Sequence, residues 1–157
     1  MTSILEFNLK VSGATVHHYA SFTYKVRRVV APDVLVQGGG SQAVGEDYNE
    51  GYTYNSPSTP SHPGDVEIVY LSGIGLSNPP LATAESAPGS EPLARVNYPY
   101  QITLNGQPVN VGFLGYAPGF TALVQANFTI PTNLTGDLSL VVTVNGQSSV
   151  PTTLSVH

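Results

Sequence analysis

The sequence predicts an all-β domain with the architecture of a β-sandwich. Two β-branched runs end on the same tripeptide, at Asn105-Gly106-Gln107 and at Asn145-Gly146-Gln147. Asn-Gly between alternating apolar residues is the strongest short-range signal for a β-hairpin, because both central residues of a type I′ turn need positive φ. In addition, no stretch of the 157 residues has the three-and-four spacing of apolar residues that marks an amphipathic helix.

The composition agrees with this fold class. Charged residues make up 10 % of the chain, compared with about 25 % in an average soluble domain, whereas Gly (16) and Pro (13) are abundant. Short strands joined by polar turns have such a composition. The chain contains no Cys, which excludes disulfides, thiol catalysis and zinc–thiolate sites.

The first strand is predicted at residues 4–11, followed by a turn at Ser12-Gly13 and a second alternating run at residues 18–30. A period of two is typical of a strand with one buried face. The second run ends before Pro32, because proline lacks the N–H donor of a central strand. The apolar face of the first run consists of Leu5, Phe7, Leu9 and Val11.

The middle of the chain is predicted to be mostly loop. Residues 41–63 are rich in Tyr, Pro and acidic residues, and they contain one predicted short strand at residues 42–44. A turn at Pro63-Gly64-Asp65 starts a strand at residues 66–71, whose near-continuous apolar character indicates burial. Residues 78–99 form a second loop, which must run over the surface because no strand ladder pairs its backbone groups.

The last third of the chain is predicted to be a succession of strands. The turns between them contain Asn-Gly, Pro-Gly or Gly-Asp pairs, which favour the backbone conformations of tight turns. Closely spaced short strands of this kind are typical of β-sandwiches. The predicted strands cover residues 100–105, 108–116, 122–130, 138–145 and 151–156.

The charge balance and the missing motifs exclude several functions. Five Lys and Arg stand against ten Asp and Glu, so the chain lacks the basic surface that nucleic-acid binding requires. No apolar run reaches the length of a membrane-spanning helix, so we also expect no membrane span. The motifs of serine hydrolases, zinc proteases and phosphate-binding loops are missing, so we expect no enzyme activity and no cofactor.

The four histidines form no pattern typical of a metal site. His17 and His18 are adjacent, so they point to opposite faces of a strand and cannot share an ion there. His62 precedes a proline in a loop, and His157 is terminal. We therefore interpret the histidines as structural or surface residues and predict no metal site.

The strongest candidate for a contact surface is the loop at residues 46–54. Tyrosine rings offer an apolar face with a polar tip, which suits both protein contacts and stacking on sugars. The acidic side chains of the loop only partly resemble a calcium-binding loop, and we interpret them as solvated. The predicted contact residues are Glu46, Asp47, Tyr48, Glu50, Tyr52 and Tyr54.

A series of spaced Gly, Pro and aromatic positions resembles a known family. The motifs that carry the resemblance are Gly64-Asp65, residues 70–75 (YLSGIG), Pro79-Pro80, residues 92–95 (PLAR), residues 113–120 (FLGYAPGF), residues 125–127 (QAN) and residues 144–149 (VNGQSS). From residue 29 to residue 156 the chain resembles an uncharacterised domain found at the C-termini of large secreted proteins, especially those of acidobacteria. The resemblance implies an immunoglobulin-like (Ig-like) β-sandwich of the E-set kind, similar to IPT/TIG domains.

We divide the chain into an N-terminal segment, residues 1–20, and an Ig-like domain, residues 21–157. Three interpretations of the segment remain open: the end of a preceding Ig-like module, an additional hairpin of this domain, or an assembly strand that pairs with a neighbouring molecule. In the third case Leu5, Phe7, Leu9 and Val11 would be buried on that neighbour, because sheet edges offer unpaired donors and acceptors.

Together these observations predict a non-catalytic bacterial module with a structural or adhesive role, secreted or at the cell surface. We expect protein partners or self-association, with strand addition in an extracellular assembly as one route. The alternative is a carbohydrate-binding module that uses the loop at residues 46–54. Because Met1 begins a strand-like run without the pattern of a secretory signal, we interpret the chain as part of a larger protein.

Overall fold

The computed structural model describes residues 30–157, which contain thirteen β-strands and no helix. The strands form two antiparallel sheets, one of eight strands and one of five, so the predicted all-β fold is confirmed. In chain order the strands are β1 (Asp33–Val34), β2 (Gly45–Asp47), β3 (Thr53–Tyr54), β4 (Val66–Ser72), β5 (Ser77–Asn78), β6 (Arg95–Val96), β7 (Tyr100–Leu104), β8 (Gln107–Pro108), β9 (Asn110–Tyr116), β10 (Val124–Thr129), β11 (Gly136–Val144), β12 (Gln147–Ser148) and β13 (Thr152–Val156).

The larger sheet is centred on three long strands. β4 pairs with β10, and β10 pairs with β9. The other edge of β4 pairs with β1 and β2, and β3 follows next to β2. β6 and β5 extend the sheet beyond β9. In the smaller sheet, β11 pairs with β7 on one edge and with β12 and β13 on the other, and β8 pairs with β7.

Alternating burial along the strands builds one apolar core between the sheets. Every second residue is buried from Val124 to Phe128 in β10 and from Leu138 to Val144 in β11. This is the pattern of strands with one face toward a core. Two faces packed in this way are what a β-sandwich requires. Further core residues include Val69, Leu71, Ile102, Leu104, Leu114, Leu154 and Val156.

The two Asn-Gly pairs form the predicted hairpins. Asn105 and Gly106, with φ of 48° and 79°, connect β7 to β8. Asn145 and Gly146, with φ of 50° and 75°, connect β11 to β12. Positive φ at both central residues is the signature of the type I′ turn, and this prediction is confirmed.

The two predicted loops contain short strands that the sequence did not reveal. β2 and β3 lie within residues 41–63, and β6 lies within residues 78–99. The strand predicted at residues 42–44 is wrong in position, because residues 42 and 43 form only single bridges and β2 begins at Gly45. Strands of two or three residues are too short to show a period of two.

Two segments of the chain, one at Gln42 and one at Ser61, run parallel to β13 and connect the sheets. Ala43 N donates to Thr153 O (2.9 Å), and Thr153 N donates to the carbonyl of Ser41 (2.7 Å). At the far end of β13, Ser61 N donates to Ser155 O (3.1 Å), and His157 N donates to Ser61 O (3.0 Å). These bonds hold the segments on both sides of the β2–β3 hairpin against the smaller sheet.

Residues 1–29 lie outside the described part of the chain. The predictions made for the segment 1–20, for the strand at residues 4–11 and for most of the run at residues 18–30 therefore fall outside it, as do the proposed assembly residues Leu5, Phe7, Leu9 and Val11. Residues 30–157 include no helix long and apolar enough to cross a membrane.

Candidate functional site

The β2–β3 hairpin carries all six predicted contact residues. Its strands pair Glu46 with Tyr54 and Asp47 with Thr53. The turn closes with a hydrogen bond from Tyr52 N to Asp47 O (2.9 Å) and with φ of 70° at Gly51 and 65° at Tyr52. The structure thus brings the six residues together on one hairpin, but their side chains do not form a single surface.

The tyrosines of the hairpin are exposed. Tyr48, Tyr52 and Tyr54 are 53 %, 56 % and 62 % accessible. The rings of Tyr48 and Tyr52 meet edge to face, with centroids 5.4 Å apart and an interplanar angle of 86°, which is a favourable geometry for two aromatic rings. Tyr54 does not join this pair and instead lines a groove in the larger sheet.

This aromatic groove has a volume of about 370 Å³ and lies over the hairpin, β4 and β10. Tyr70 OH donates to Glu46 Oε2 at 3.2 Å. Burial, followed by the charge of Glu46, raises the pKa of Tyr70 to about 12, so the hydroxyl stays protonated and remains a donor. The residues that line the groove are Leu35, Val44, Glu46, Tyr54, Tyr70, Phe120, Leu123 and Gln125.

Phe120 is the most exposed of the groove residues that the sequence analysis did not select. Phe120 is 59 % exposed, and it follows Gly119, which has a φ of 82° in the turn after β9. An aromatic residue directly after Pro118-Gly119 was the available signal, because a ring at a turn tip has little opportunity to pack inward.

Asp47 corrects the interpretation of the hairpin acids as solvated. Its side chain lies on the inner face of the sheet and is only 2 % exposed. Asp47 Oδ1 accepts from Asn49 N (2.9 Å) and from Glu50 N (3.2 Å), whereas Oδ2 has no hydrogen-bond partner. Burial raises the pKa of Asp47, and the charge of Asp65 adds to the shift, while the two backbone donors lower it.

A tight turn places His62 and Asp65 beside Asp47. Asp65 N donates to His62 O (3.1 Å) across Pro63 and Gly64, and Gly64 has a φ of 98°. Pro at the second and Gly at the third position favour a type II turn. One potential ligand atom from each of Asp47, His62 and Asp65 lies within 4.8 Å of the others. The sequence analysis did not single out this Asp–His–Asp cluster.

Next to the cluster, a buried polar network fills the end of the sandwich. Ser61 Oγ donates to Glu67 Oε2 (2.6 Å), and Asn55 Nδ2 donates to Ser61 Oγ (2.8 Å) and to Ser155 O (2.8 Å). Ser155 N returns a bond to Asn55 Oδ1 (3.0 Å). Glu67 and Asn55 are fully buried, and Gly45 leaves the space that Glu67 Oε1 occupies.

The carboxyl group of Glu67 is mostly protonated at neutral pH. Burial raises its pKa to about 8, and the charge of Asp47 contributes, against the lowering effect of the Ser61 hydroxyl. Within the part of the chain that the structure describes, the one Lys or Arg is Arg95, and its guanidinium pairs with Glu91 (3.0 Å). No Lys or Arg side chain of residues 30–157 therefore neutralises the acids at this end of the sandwich.

Comparisons with known proteins add no relative: no protein-family model matches the chain, and no curated protein is significantly similar to it. The aromatic groove and the Asp–His–Asp cluster are the two features of residues 30–157 that bear on function.

Proposed function

We propose that this protein is a non-catalytic, Ig-like module of a cell-surface or extracellular structure, with a structural or adhesive role. Its partner in this proposal is a protein, including a second copy of the same chain, and the aromatic groove is the contact surface. The observation that carries the proposal is the set of exposed rings and aliphatic side chains that line one groove of the larger sheet.

The exposure of these side chains is what supports a protein contact. Tyr54 and Phe120 are more than half exposed, and Leu35 is 38 % exposed at the same groove. Aromatic residues are enriched in the centres of protein interfaces, and grouped apolar side chains on a surface mark interaction sites.

The scaffold under the groove supports the same role. Glu46, Tyr70 and Gln125 lie on paired strands, with Glu46 next to Ile68 and Gln125 next to Tyr70 in the register. The Tyr70–Glu46 hydrogen bond holds two of these side chains in place. A groove that is ordered before binding loses less conformational freedom when a partner docks.

Self-association of the full chain tests the proposal. We expect the wild-type protein to form dimers or larger species in light scattering at micromolar concentration, and the Tyr54→Ala/Phe120→Ala variant to remain monomeric. The matched control is Tyr100→Ala/Val150→Ala, which removes two exposed apolar side chains elsewhere and should associate like the wild type. An unchanged mass in the groove variant would contradict the proposal.

Removal of residues 1–11 distinguishes association through the groove from association through the assembly strand that the sequence predicts. If residues 4–11 carry association by strand addition, the shortened chain is monomeric while the groove variant still associates. If the groove carries it, the shortened chain associates and the groove variant does not.

Carbohydrate binding is the second candidate, and a specific observation favours it. The groove places the carboxylate of Glu46 and the amide of Gln125 beside the rings of Tyr54 and Phe120. Rings that stack on a sugar, together with polar groups that bond its hydroxyls, form the usual arrangement of a small-ligand site. A glycan array should then give signals that Tyr54→Ala removes and Tyr100→Ala retains. A blank array with wild-type protein would remove this candidate.

A further inference from the structure

We propose that Asp47, His62 and Asp65 bind a divalent transition-metal ion, with Zn²⁺ as the best match. The cluster lies at the end of the sandwich, between the β2–β3 hairpin and the start of β4. It is separate from the aromatic groove, and none of its three residues lines that groove.

The spacing of the ligand atoms fits an ion. Two ligands about 2 Å from a tetrahedral Zn²⁺ lie roughly 3.3 Å apart. His62 Nδ1 and Asp65 Oδ2 are already separated by 3.4 Å, and the third ligand atom, from Asp47, lies within 4.8 Å of the other two. A small inward shift of the exposed His62 ring completes the set.

The second observation is an unpartnered, buried oxygen at the base of the cluster. Asp47 is 2 % exposed, and its Oδ2 has no hydrogen-bond partner, although its Oδ1 is bonded by two backbone N–H groups. Asp65 Oδ2, which lies 3.4 Å from His62 Nδ1, is also inaccessible to solvent and accepts no hydrogen bond. A buried carboxylate oxygen without a donor is costly, and a bound cation removes that cost.

The ligand types select the class of metal. Calcium and magnesium prefer sites made only of oxygen, whereas an imidazole nitrogen with two carboxylates suits zinc and similar ions. Three protein ligands leave at least one coordination position open, and the His62 side chain is 56 % exposed. Glu50 Oε1, 4.0 Å from His62 Nδ1, is close enough to take the fourth position after a side-chain movement.

The experiment titrates Zn²⁺ into the untagged 157-residue chain, freed of metal with EDTA and dialysed, in competition with a fluorescent zinc chelator. We expect the wild type to bind Zn²⁺, and Asp47→Asn, Asp65→Asn and His62→Gln each to weaken that binding at least about tenfold, because each removes a ligand. Asp33→Asn removes an exposed carboxylate of β1 and is the matched control, which should bind like the wild type. His62→Gln changes an exposed side chain, so it keeps the test valid if an Asp variant fails to fold.

A second measurement checks that His62 is a ligand. In ¹⁵N spectra of the histidine rings, the Nδ1 signal of His62 is identified as the one that is missing in His62→Gln. Zn²⁺ should shift this signal in the wild-type spectrum. Absence of Zn²⁺ binding, or equal binding by the wild type and all three variants, would overturn the proposal. Displacement of Zn²⁺ by equimolar Ca²⁺, with His62→Gln binding like the wild type, would also overturn it, because the site would then contain oxygen ligands alone.

Discussion

The space between the two sheets has two chemically different parts. Its middle is apolar, with residues such as Ile102, Leu104 and Leu140 facing the larger sheet. Its end beneath the β2–β3 hairpin contains the buried polar side chains of Asn55 and Glu67. The middle is stabilised by close packing, which has no preferred direction. The polar end is stabilised by directional hydrogen bonds between buried groups. The two parts should therefore respond differently to substitution and to pH.

The largest effect is expected in the apolar middle. Leu140→Ala removes a fully buried side chain between Leu104 and Thr152 in the register, and it leaves a cavity that the neighbouring strands fill only in part. The free energy of unfolding should fall by about 2–5 kcal/mol, measured by urea denaturation. Val150→Ala, at a site that is 72 % exposed, is the control and should change it by less than about 0.5 kcal/mol.

At the polar end, Asn55→Ala should lower the free energy of unfolding by about 2–4 kcal/mol. The reason differs from that for Leu140, because the loss leaves the backbone N–H and C=O of Ser155 and the hydroxyl of Ser61 without their bonds to the amide. Asn97→Ala replaces an exposed asparagine and should be nearly neutral. Equal stability of both variants in urea would mean that the network does not contribute to folding.

The polar end should also differ from the apolar middle in how its contribution to stability depends on pH. Glu67 has a pKa of about 8 in the folded protein and 4.5 as its ordinary value. Above pH 4.5 the unfolded chain loses this proton more readily than the folded one, so the contribution of Glu67 to stability is largest below that pH and is lost between about pH 4.5 and pH 8. In metal-free buffer with EDTA, we expect Glu67→Gln to reduce the loss of stability between about pH 5 and pH 7 by roughly 1–2 kcal/mol.

The control for this pH experiment is Glu85→Gln, since Glu85 is exposed. Its urea midpoints should follow those of the wild type at every pH. If Glu67→Gln also follows the wild type, the carboxyl group of Glu67 does not titrate in this range.

The smallest effect is expected at the two Asn-Gly turns, outside both parts of the interior. A Cβ atom added at Gly106 or Gly146 would meet no atom within 4 Å, so the main cost of a substitution is backbone strain at φ of 79° or 75°. Gly106→Val and Gly146→Val should each lose about 1 kcal/mol in thermal or urea unfolding. A loss as large as that of Leu140→Ala would show that the turns contribute more than local geometry.

The sequence was informative where burial alternates over several residues. β10 and β11 show this alternation over their whole length, so they could be predicted. The Asn-Gly pairs mark the β7–β8 and β11–β12 turns locally, so these turns could be predicted as well. β2 and β3 could not be predicted, because a strand of two or three residues is too short to show an alternation of buried and exposed residues. Glu67 was concealed inside an apolar run, where alternation alone does not show which face meets a polar partner.

The candidate sites depend on contacts between distant parts of the chain. Tyr54 and Phe120 meet in one groove only because β4 and β10 are neighbours in the larger sheet. Asp47 meets His62 and Asp65 because β2 pairs with β4, which places Asp47 opposite Glu67. Pairing between strands that are not consecutive is set by the whole fold and is not written in any local pattern.

The parallel contacts of β13 have a consequence for how the domain resists force. The segments at Ser41–Ala43 and at Ser61 run in the same direction as β13, and four backbone hydrogen bonds join them to it. If Ser41 is pulled toward the N-terminus and His157 toward the C-terminus, the segment Ser41–Ala43 and β13 slide past each other. The hydrogen bonds are then stretched together rather than opened one after another. Resistance to such a pull is set by the rate of unfolding and not by the equilibrium stability. A domain stretched between two attachment points in this direction would withstand tension at the junction of its two sheets.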